Sequence, residues 1–467
     1  MAQERSKNIV EKFDLIVVGS GAGLDVANAA AQSRLKVALV EKSKMGGTCL
    51  NRGCIPSKLL IHSADVAQTI RTAEQFGIRV EKFSVDFEKI IRRTNGIIDS
   101  ESDGIRSALS EIDNPRLFPV ECRFVGKKEI LVGQDHIITA ERILLASGTR
   151  PMIPKIAGLE KGVYITSDEA LRLEKQPRVL TIIGGGYIAA ELAHFFGSLG
   201  TKINIIQKSD MLLTREDEEV SHKFTEILSK KYNVYLGFDT QLITRRNDKI
   251  IVSAKRSKTG EDIEIESDQL LLATGRVPNS DTLALDLAGV GTDSRGYIIV
   301  DEFLETNVKG IFALGDAVGK YQFRHSANLE AQYAFNNIIS HPDKKIPVNY
   351  TAMPHAIFSS PQVAAAGYTE QELREKGAKY SKSVYPYAQT AMGEAIEDND
   401  GFVKFLVDKN DGKILGCHIL GTDASILIHE VLVSMRAGSG TIGDIQRTVH
   451  IHPALSEVVS RAADAIG

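Results

Sequence analysis

Residues 13–41 and 179–207 write one pattern twice. The first copy runs Phe13-Asp14-Leu15-Ile16-Val17-Val18-Gly19-Ser20-Gly21-Ala22-Gly23, then a helical stretch to about Ser33, then the apolar strand Lys36–Glu41. The second runs Val179-Leu180-Thr181-Ile182-Ile183-Gly184-Gly185-Gly186, then a helical stretch to about Leu199, then the strand Lys202–Gln207. Each reads as strand, glycine turn, helix, strand, with the short, continuously apolar strands of a parallel sheet. Each also closes on a similar tail, Leu144-Leu145-Ala146-Ser147-Gly148-Thr149-Arg150-Pro151 in one and Leu271-Leu272-Ala273-Thr274-Gly275-Arg276-Val277-Pro278 in the other. A chain built this way is an α/β protein with two Rossmann-like dinucleotide-binding domains, the second inserted into the first.

The expected division follows from those tails. Residues 1–151 open the first dinucleotide domain, 152–276 form the second, and 277–347 complete the first. Residues 348–467 differ in pattern: strand-like runs such as Phe402–Val407 precede helical stretches at Ile426–Met435 and Leu455–Ala465, which reads as an α+β domain. Between Cys54 and Glu111 the spacing is mostly helical. A length of 467 residues accommodates this number of domains. The net charge of −4 offers no basic footprint for nucleic acid. Met1 to Lys12 is polar and lacks the apolar run of an export signal, and no window approaches ~18 uninterrupted apolar residues. The expectation is a cytoplasmic protein with neither nucleic-acid nor membrane partners.

The cysteines sharpen the reading. Cys49 and Cys54 lie in Met45-Gly46-Gly47-Thr48-Cys49-Leu50-Asn51-Arg52-Gly53-Cys54-Ile55-Pro56-Ser57-Lys58. A structural disulfide is out of keeping with a chain lacking an export signal. A zinc site needs two further ligands nearby, and none is close in sequence, so no metal is expected. A redox-active pair remains, in which one thiol must be acidified by a helix N-terminus or a cation. Cys54 precedes a helical stretch and is expected at its start, with Lys58 one turn along. Cys122 and Cys417 stand alone in apolar surroundings and are expected in the core.

The two glycine turns differ in their supporting residues. Gly19 and Gly21 supply the sharp bend and close approach to a pyrophosphate, and Glu41 at the strand end suits the hydroxyls of an adenosine ribose. The third glycine of the fingerprint would fall at position 24, where Leu24 stands, which questions helix–strand packing there. The second turn fits the pattern Gly184-x-Gly186-x-x-Ala189 but has no strand-end acid. Gln207 and Lys208 stand there, with Arg215 downstream, and favour NADPH over NADH. Alternatively, Lys208 is simply solvated. Asp316, in Ala313-Leu314-Gly315-Asp316, sits where a buried strand presents a carboxylate to a polyol, or caps a helix. In His450-Ile451-His452-Pro453-Ala454-Leu455-Ser456-Glu457, a carboxylate stands within reach of an imidazole, a pairing suited to acid/base work. Spacing alone does not choose between His450 and His452, and Pro453 allows a cis bond.

Taken in order and spacing, these motifs resemble the flavin-dependent pyridine nucleotide–disulfide oxidoreductases nearly end to end. That family includes dihydrolipoamide dehydrogenase, glutathione reductase, mycothione reductase and mercuric reductase. The resemblance implies FAD and NAD(P) as cofactors and a homodimer whose active site is shared between subunits across the C-terminal domain. It implies Cys54 as the flavin-facing thiol, Cys49 as the thiol that exchanges with substrate, and His452 as the base oriented by Glu457. Glu41, Thr48 and Asp316 would bind FAD, Lys58 and Glu191 would pair beside the flavin, and Tyr187 would gate it. The same resemblance places Gly19, Gly21, Lys42, Ser147, Gly148 and His325 among the cofactor contacts, with Gly184, Gly186, Gln207, Lys208, Gly275 and Arg276. The stretch His325–Glu330 is similar to both dihydrolipoamide dehydrogenase and mycothione reductase. The expected activity is dihydrolipoamide dehydrogenase, on a small-molecule or lipoyl-bound dithiol. Its alternative is NADPH-dependent reduction of a low-molecular-weight disulfide. A reading of another class is a flavin-binding interaction subunit docked to the acyltransferase core of a 2-oxo acid dehydrogenase complex.

Overall fold

The computed structural model describes residues 9–466. The first eight residues and Gly467, which begin and end the expected domain ranges, lie outside them. The chain divides into two compact units. One runs from the start of the described chain to Ser57 and takes in Ile91–Met152 and Arg276–Asn349; the other comprises Lys58–Ile90, Ile153–Gly275 and Tyr350 onward.

The first unit is built on a seven-stranded sheet. Arg116–Phe118, Val37–Val40, Ile9–Val18 and His136–Leu145 pair in parallel in that order, and Ile311–Ala313 adds to His136–Leu145. Every residue of Val37–Val40 is buried, as a strand covered on both faces requires. Register sets the chemistry. Val18 pairs with Val40 and Leu145, and Leu145 pairs with Ala313. The residues that follow these strands, Gly19, Glu41, Ser147 and Asp316, therefore reach one carboxyl edge of the sheet, where open α/β folds bind ligands. Cys122–Gly126 and Glu129–Val132 continue the sheet in antiparallel fashion.

The second unit repeats the plan. Asn233–Leu236, Lys202–Gln207, Val179–Ile183, Gln269–Leu272 and Ile165–Thr166 form a parallel sheet in that order. Ile183 pairs with Ile206 and Leu272, so Gly184, Gln207 and Ala273 share an edge. Phe238–Arg246, Lys249–Arg256 and Asp262–Ser267 add an antiparallel sheet. Beyond Tyr350, five antiparallel strands run Pro354–Ile357, Gln362–Gly367, Ile414–Gly421, Phe402–Asp408, Tyr380–Pro386. The helices Ala424–Ala437 and Glu457–Asp464 bury Leu427, Val431, Val458 and Val459 among Val403, Phe405, Cys417 and Ile419 of that sheet. The 54–111 stretch is helical as Cys54–Thr72 and Phe87–Ser110, with a short 3-10 turn and an exposed coil between.

Candidate active site

The thiol segment is shaped by three glycines. Gly46 and Gly47 take left-handed conformations, φ +93° and +67°. A Cβ on Gly47 would lie 2.8 Å from the Gly21 Cα, so the segment packs against the first glycine turn. The helix Gly47–Arg52 carries Cys49, and the helix Cys54–Thr72 starts after Gly53 alone. A Cβ on Gly53 would meet the Thr48 carbonyl oxygen at 2.9 Å and the Cys49 Cα at 3.3 Å. Asn51 holds the entry, its Nδ2 donating to the Met45 carbonyl at 2.8 Å and the Gly47 carbonyl at 3.0 Å.

The two thiols lie side by side, with Cys54 at the start of its helix. The Cys54 S–H donates to the Cys49 sulfur, which also receives the backbone N–H groups of Cys54 and Ile55 and lies in the field of Arg324. These bring the Cys49 thiol down from 9 to about 7, against the opposing effect of burial. The helix start expected at Cys54 is there, and its N–H groups act on Cys49. Of the other thiols, Cys417 is wholly buried as expected. Cys122 is only half-buried, beside Glu41, Lys42 and Glu121, and its desolvated thiol is pushed up to about 12.

The first glycine turn is a close-approach site. Gly19 has φ +103°, and a Cβ there would lie 2.2 Å from the Ala146 carbonyl oxygen. The packing questioned at Leu24 is resolved one residue earlier, since a Cβ on Gly23 would crowd Val17 at 2.9 Å and Ala146 at 3.0 Å. Leu24 packs on the strand cluster instead. Glu41 accepts from the Ser20 N–H and Oγ–H at 2.9 and 2.8 Å through one oxygen and from the Ser43 N–H at 2.8 Å through the other. Part of the carboxylate thus orders the turn. Lys42 pairs with Glu121 at 3.4 Å on the surface. Thr48 lies in the Cys49 helix.

Sequence reasoning missed the support beneath Asp316. Arg276 Nε donates to Thr149 Oγ1 at 2.8 Å, and Thr149 donates to Asp316 Oδ2 at 2.8 Å. Desolvation holds the Asp316 carboxyl above its ordinary value. The Glu330 carboxylate, wholly buried, accepts the Gly315 N–H at 2.5 Å and fixes the residue before it. Arg324 was also missed. Its Nη1 is 4.0 Å from where a Gly21 Cβ would stand, and its Nη2 is 3.4 Å from Asp25. His325 stacks on Phe323 at 5.3 Å. The Ser147 hydroxyl is buried with no partner, and Gly148 takes φ +65°. A glycine cradle, a strand-end acid, an unpartnered buried hydroxyl and a desolvated carboxyl fit a dinucleotide with a polyol arm, as FAD is.

The second unit holds its own cradle. Gly184 has φ +110°, and its Cβ would lie 2.3 Å from the Ala273 carbonyl oxygen. The helix Tyr187–Ser198 begins after Gly186, with Tyr187 37% exposed at its first position. Gly275 also has φ +110°. Gln207 packs against Gly185 and donates to the Met211 carbonyl at 3.3 Å. Lys208 is exposed and pairs with Asp239 at 3.1 Å. Lys58 Nζ reaches both oxygens of the buried Glu191, at 2.7 and 2.8 Å, and lies 4.4 Å above the Phe358 ring. Glu191 also accepts the Phe358 N–H at 3.0 Å, a contact no local pattern announces.

The structure separates the two histidines that spacing left open. The His450 side chain is buried, with Nε2 on Glu430 at 3.0 Å and Nδ1 on the Thr448 carbonyl at 3.2 Å. The His452 side chain is 72% exposed, and its Nδ1 meets Glu457 at 3.0 Å across a cis His452–Pro453 bond. That pairing holds the Glu457 carboxyl below its usual range and leaves His452 Nε2 outward. Among the described residues there is no cluster suited to a metal ion, and no helix is long and apolar enough to cross a membrane.

Two dinucleotide cradles and a dithiol with one acidified sulfur define a nicotinamide-linked redox enzyme that works on sulfur. The family model described as pyridine nucleotide-disulphide oxidoreductase matches residues 13–331, and that family's dimerisation domain matches residues 353–463. The chain belongs to this family, whose members contain FAD and use NAD(P)H, and it is a flavoprotein disulfide oxidoreductase. It is 35% identical over 470 residues to mycothione reductase of Mycobacterium tuberculosis, covering 97% of this chain and 99% of that protein. It is also 35% identical over 465 residues to dihydrolipoyl dehydrogenase of Chlamydia pneumoniae, covering 97% of each. The solved structure of the HOCl-induced flavoprotein disulfide reductase RclA from Escherichia coli matches with TM-score 0.86 and 26% identity, over 97% of this chain and 100% of that one.

Proposed function

We propose that this enzyme moves electron pairs between a nicotinamide nucleotide and a small dithiol/disulfide, with dihydrolipoamide as the leading substrate. The observation that carries the reading is the acidified Cys49, whose donors are the neighbouring thiol and a helix start. A thiol near pKa 7 is ~50% thiolate at pH 7, against ~1% at pKa 9. Bound FAD supplies the two-electron relay between nicotinamide and sulfur. The chain does the rest. Cys49 thiolate attacks the substrate disulfide, and His452 Nε2 protonates the departing thiolate while Glu457 holds its tautomer. Cys54 then displaces the second substrate thiol and the internal disulfide re-forms. In the reverse direction His452 removes a thiol proton.

The fold assignments belong to the same proposal. Residues 1–151 with 277–347 hold FAD through Gly19, Gly21, Glu41, Thr48, Ser147 and Asp316. Residues 152–276 hold the nicotinamide nucleotide, and 348–467 pair two copies. Val449 and Ile451, just before His452 in the chain, are 96% and 77% exposed, an apolar loop suited to a second subunit whose thiols His452 would complete. A 2-oxo acid dehydrogenase complex is the assembly that the dihydrolipoamide reading carries.

One observation favours a second substrate reading. Gln207 and Lys208 stand where an acid would repel a 2′-phosphate, and the exposed Lys208–Asp239 pair, worth ~0–1 kcal/mol, yields readily to a phosphate. NADPH and a low-molecular-weight disulfide follow from that. Parallel assays decide: dihydrolipoamide with NAD or NADP, and several small disulfides with NADPH. Turnover confined to the disulfides removes dihydrolipoamide. A yellow protein inert to every dithiol and disulfide removes the whole proposal.

A further inference from the structure

Within the second unit, the helix Cys54–Thr72, from Lys58 onward, meets the helix Tyr187–Ser198 at three places, the last at the far ends of both, where Arg71 Nε donates to the Ser198 carbonyl at 3.2 Å and Ser198 Oγ lies 3.4 Å from Gln68 Oε1. The first contact is Lys58 on Glu191. The second is a buried chain through His194. Its Nε2 lies 2.7 Å from Asp65 Oδ1, and its Nδ1 lies 3.1 Å from Ser198 Oγ. His194 is 1% exposed and Ser198 4%, whereas the Asp65 side chain is half-exposed. Burial holds the imidazole below its ordinary value, so it is neutral at pH 7. One tautomer then satisfies both contacts: Nε2–H donates to the carboxylate, and Nδ1 accepts the Ser198 hydroxyl proton. Lys231 and Glu191 also act on this imidazole, and Lys231 Nζ donates to Gln68 Oε1 at 2.7 Å, beside Ser198.

Spacing makes the pair of contacts informative. Lys58 and Asp65 are seven residues apart on one face, ~10 Å along their helix; Glu191 and His194 are three apart, ~4.5 Å along theirs. Lys58–Glu191 and the Ser198 contacts tie the helices toward their two ends, and Asp65–His194 is the buried contact between them that sets how the first turns of the Tyr187–Ser198 helix lie. We propose that His194, held by Asp65, is a positioning residue that fixes the Tyr187–Ser198 helix against the Cys54–Thr72 helix and so aims Tyr187 and Glu191 at the nicotinamide step. The proposal rests on the assignment of Tyr187 and Glu191 to that step.

The alternative is a core histidine, 1% exposed, valued only for filling space. Conservative variants separate the two. His194→Gln keeps a donor near the Nε2 position and the link to Asp65. His194→Asn keeps only a polar atom near Nδ1, and Asp65→Ala removes the acceptor from the half-exposed side, where folding is not at stake. Anaerobic stopped-flow on the holoenzyme would follow reduction by NAD(P)H and, separately, by dithiol. The expected result is a roughly tenfold slower nicotinamide step in His194→Asn and Asp65→Ala, near-normal rates in His194→Gln, and an unchanged dithiol step in all three. Hydrogen exchange, with and without FAD, should show faster opening at the start of the Tyr187–Ser198 helix in the two slow variants. Normal nicotinamide reduction and exchange in Asp65→Ala overturn the proposal, as does an equal loss in both half-reactions. Tyr187→Ala tests the foundation: if it leaves the nicotinamide step untouched, the assignment of this helix fails. If it slows that step while Asp65→Ala does not, only the positioning role fails.

Discussion

The turns at Gly19 and Gly184 are two executions of one design, and their differences show which parts belong to the fold and which to the ligand. In both, the first glycine donates its N–H to the neighbouring strand, Gly19 to the Val40 carbonyl at 2.8 Å and Gly184 to the Ile206 carbonyl at 2.9 Å. In both, the missing Cβ makes room for an alanine carbonyl, that of Ala146 or Ala273. These features recur because any parallel sheet that bends a strand into a helix at that edge needs them. The later positions diverge. The first copy makes its tight helix–strand contact at Gly23, and the second places the buried Ala189 on its helix. In the first, Glu41 follows the second strand and is tied back to Ser20; in the second, the strand ends at Gln207 and an exposed Lys208 follows. Strand-end chemistry is thus free to follow the ligand, while the first glycine is not.

The largest effect that tests this contrast comes from the first glycines. Gly19→Val should abolish FAD binding, seen as a colourless protein. Gly184→Val should stay yellow and lose reduction by NAD(P)H by about 10²-fold or more, while dithiol still reduces it. If either variant impairs both cofactors equally, the two cradles do not act separately. The same logic divides the histidines. His452→Gln should slow disulfide turnover by about 10²–10⁴, whereas His450→Gln should act mainly on stability. Near-normal turnover in the first would move the base to His450. Lys208→Glu should shift the NADPH/NADH preference in kcat/KM by about tenfold toward NADH, because a carboxylate repels the 2′-phosphate. An unchanged ratio removes Lys208 from the phosphate site. The smallest effects lie in packing. Gly23→Ala should cost about 1–3 kcal/mol in unfolding free energy by crowding Val17 and Ala146, and Ala189→Gly about 0.5–1 kcal/mol as a helix glycine. Equal costs would erase the distinction between the third positions.

Much of this architecture was legible because it is local. The glycine turns, the alanine–glycine tails, the thiol pair and the His452–Glu457 spacing each fall within a short window. What stayed hidden depends on contacts far apart in the chain. Thr149 reads as an ordinary tail residue until the strands Thr149–Pro151 and Arg276–Pro278 pair and place it between Arg276 and Asp316. Phe358 touches Glu191 through its backbone, which carries no residue signature. Lys404 lies within a strand yet is wholly buried, with its ammonium on Asp217 and Glu370 at 2.8 and 2.6 Å. A lysine in a sequence gives no warning of burial, because only its distant partners make that burial tolerable. The acidification of Cys49 stayed hidden for a related reason. The helix start at Cys54 was readable, but the fold-back at Gly53 that aims it at Cys49 was not.

The account turns on Cys49 and Cys54 opening and closing a bond as electrons pass. Alkylation with iodoacetamide before and after anaerobic reduction by NAD(P)H, mapped by mass spectrometry across pH, tests it directly. Label should enter Cys49 and Cys54 only after reduction, with the Cys49 rate rising through a midpoint near pH 7, since the thiolate forms above its pKa. Cys122 and Cys417 should stay unlabelled. Equal labelling before and after reduction, or a Cys49 midpoint near the ordinary thiol value, would contradict it.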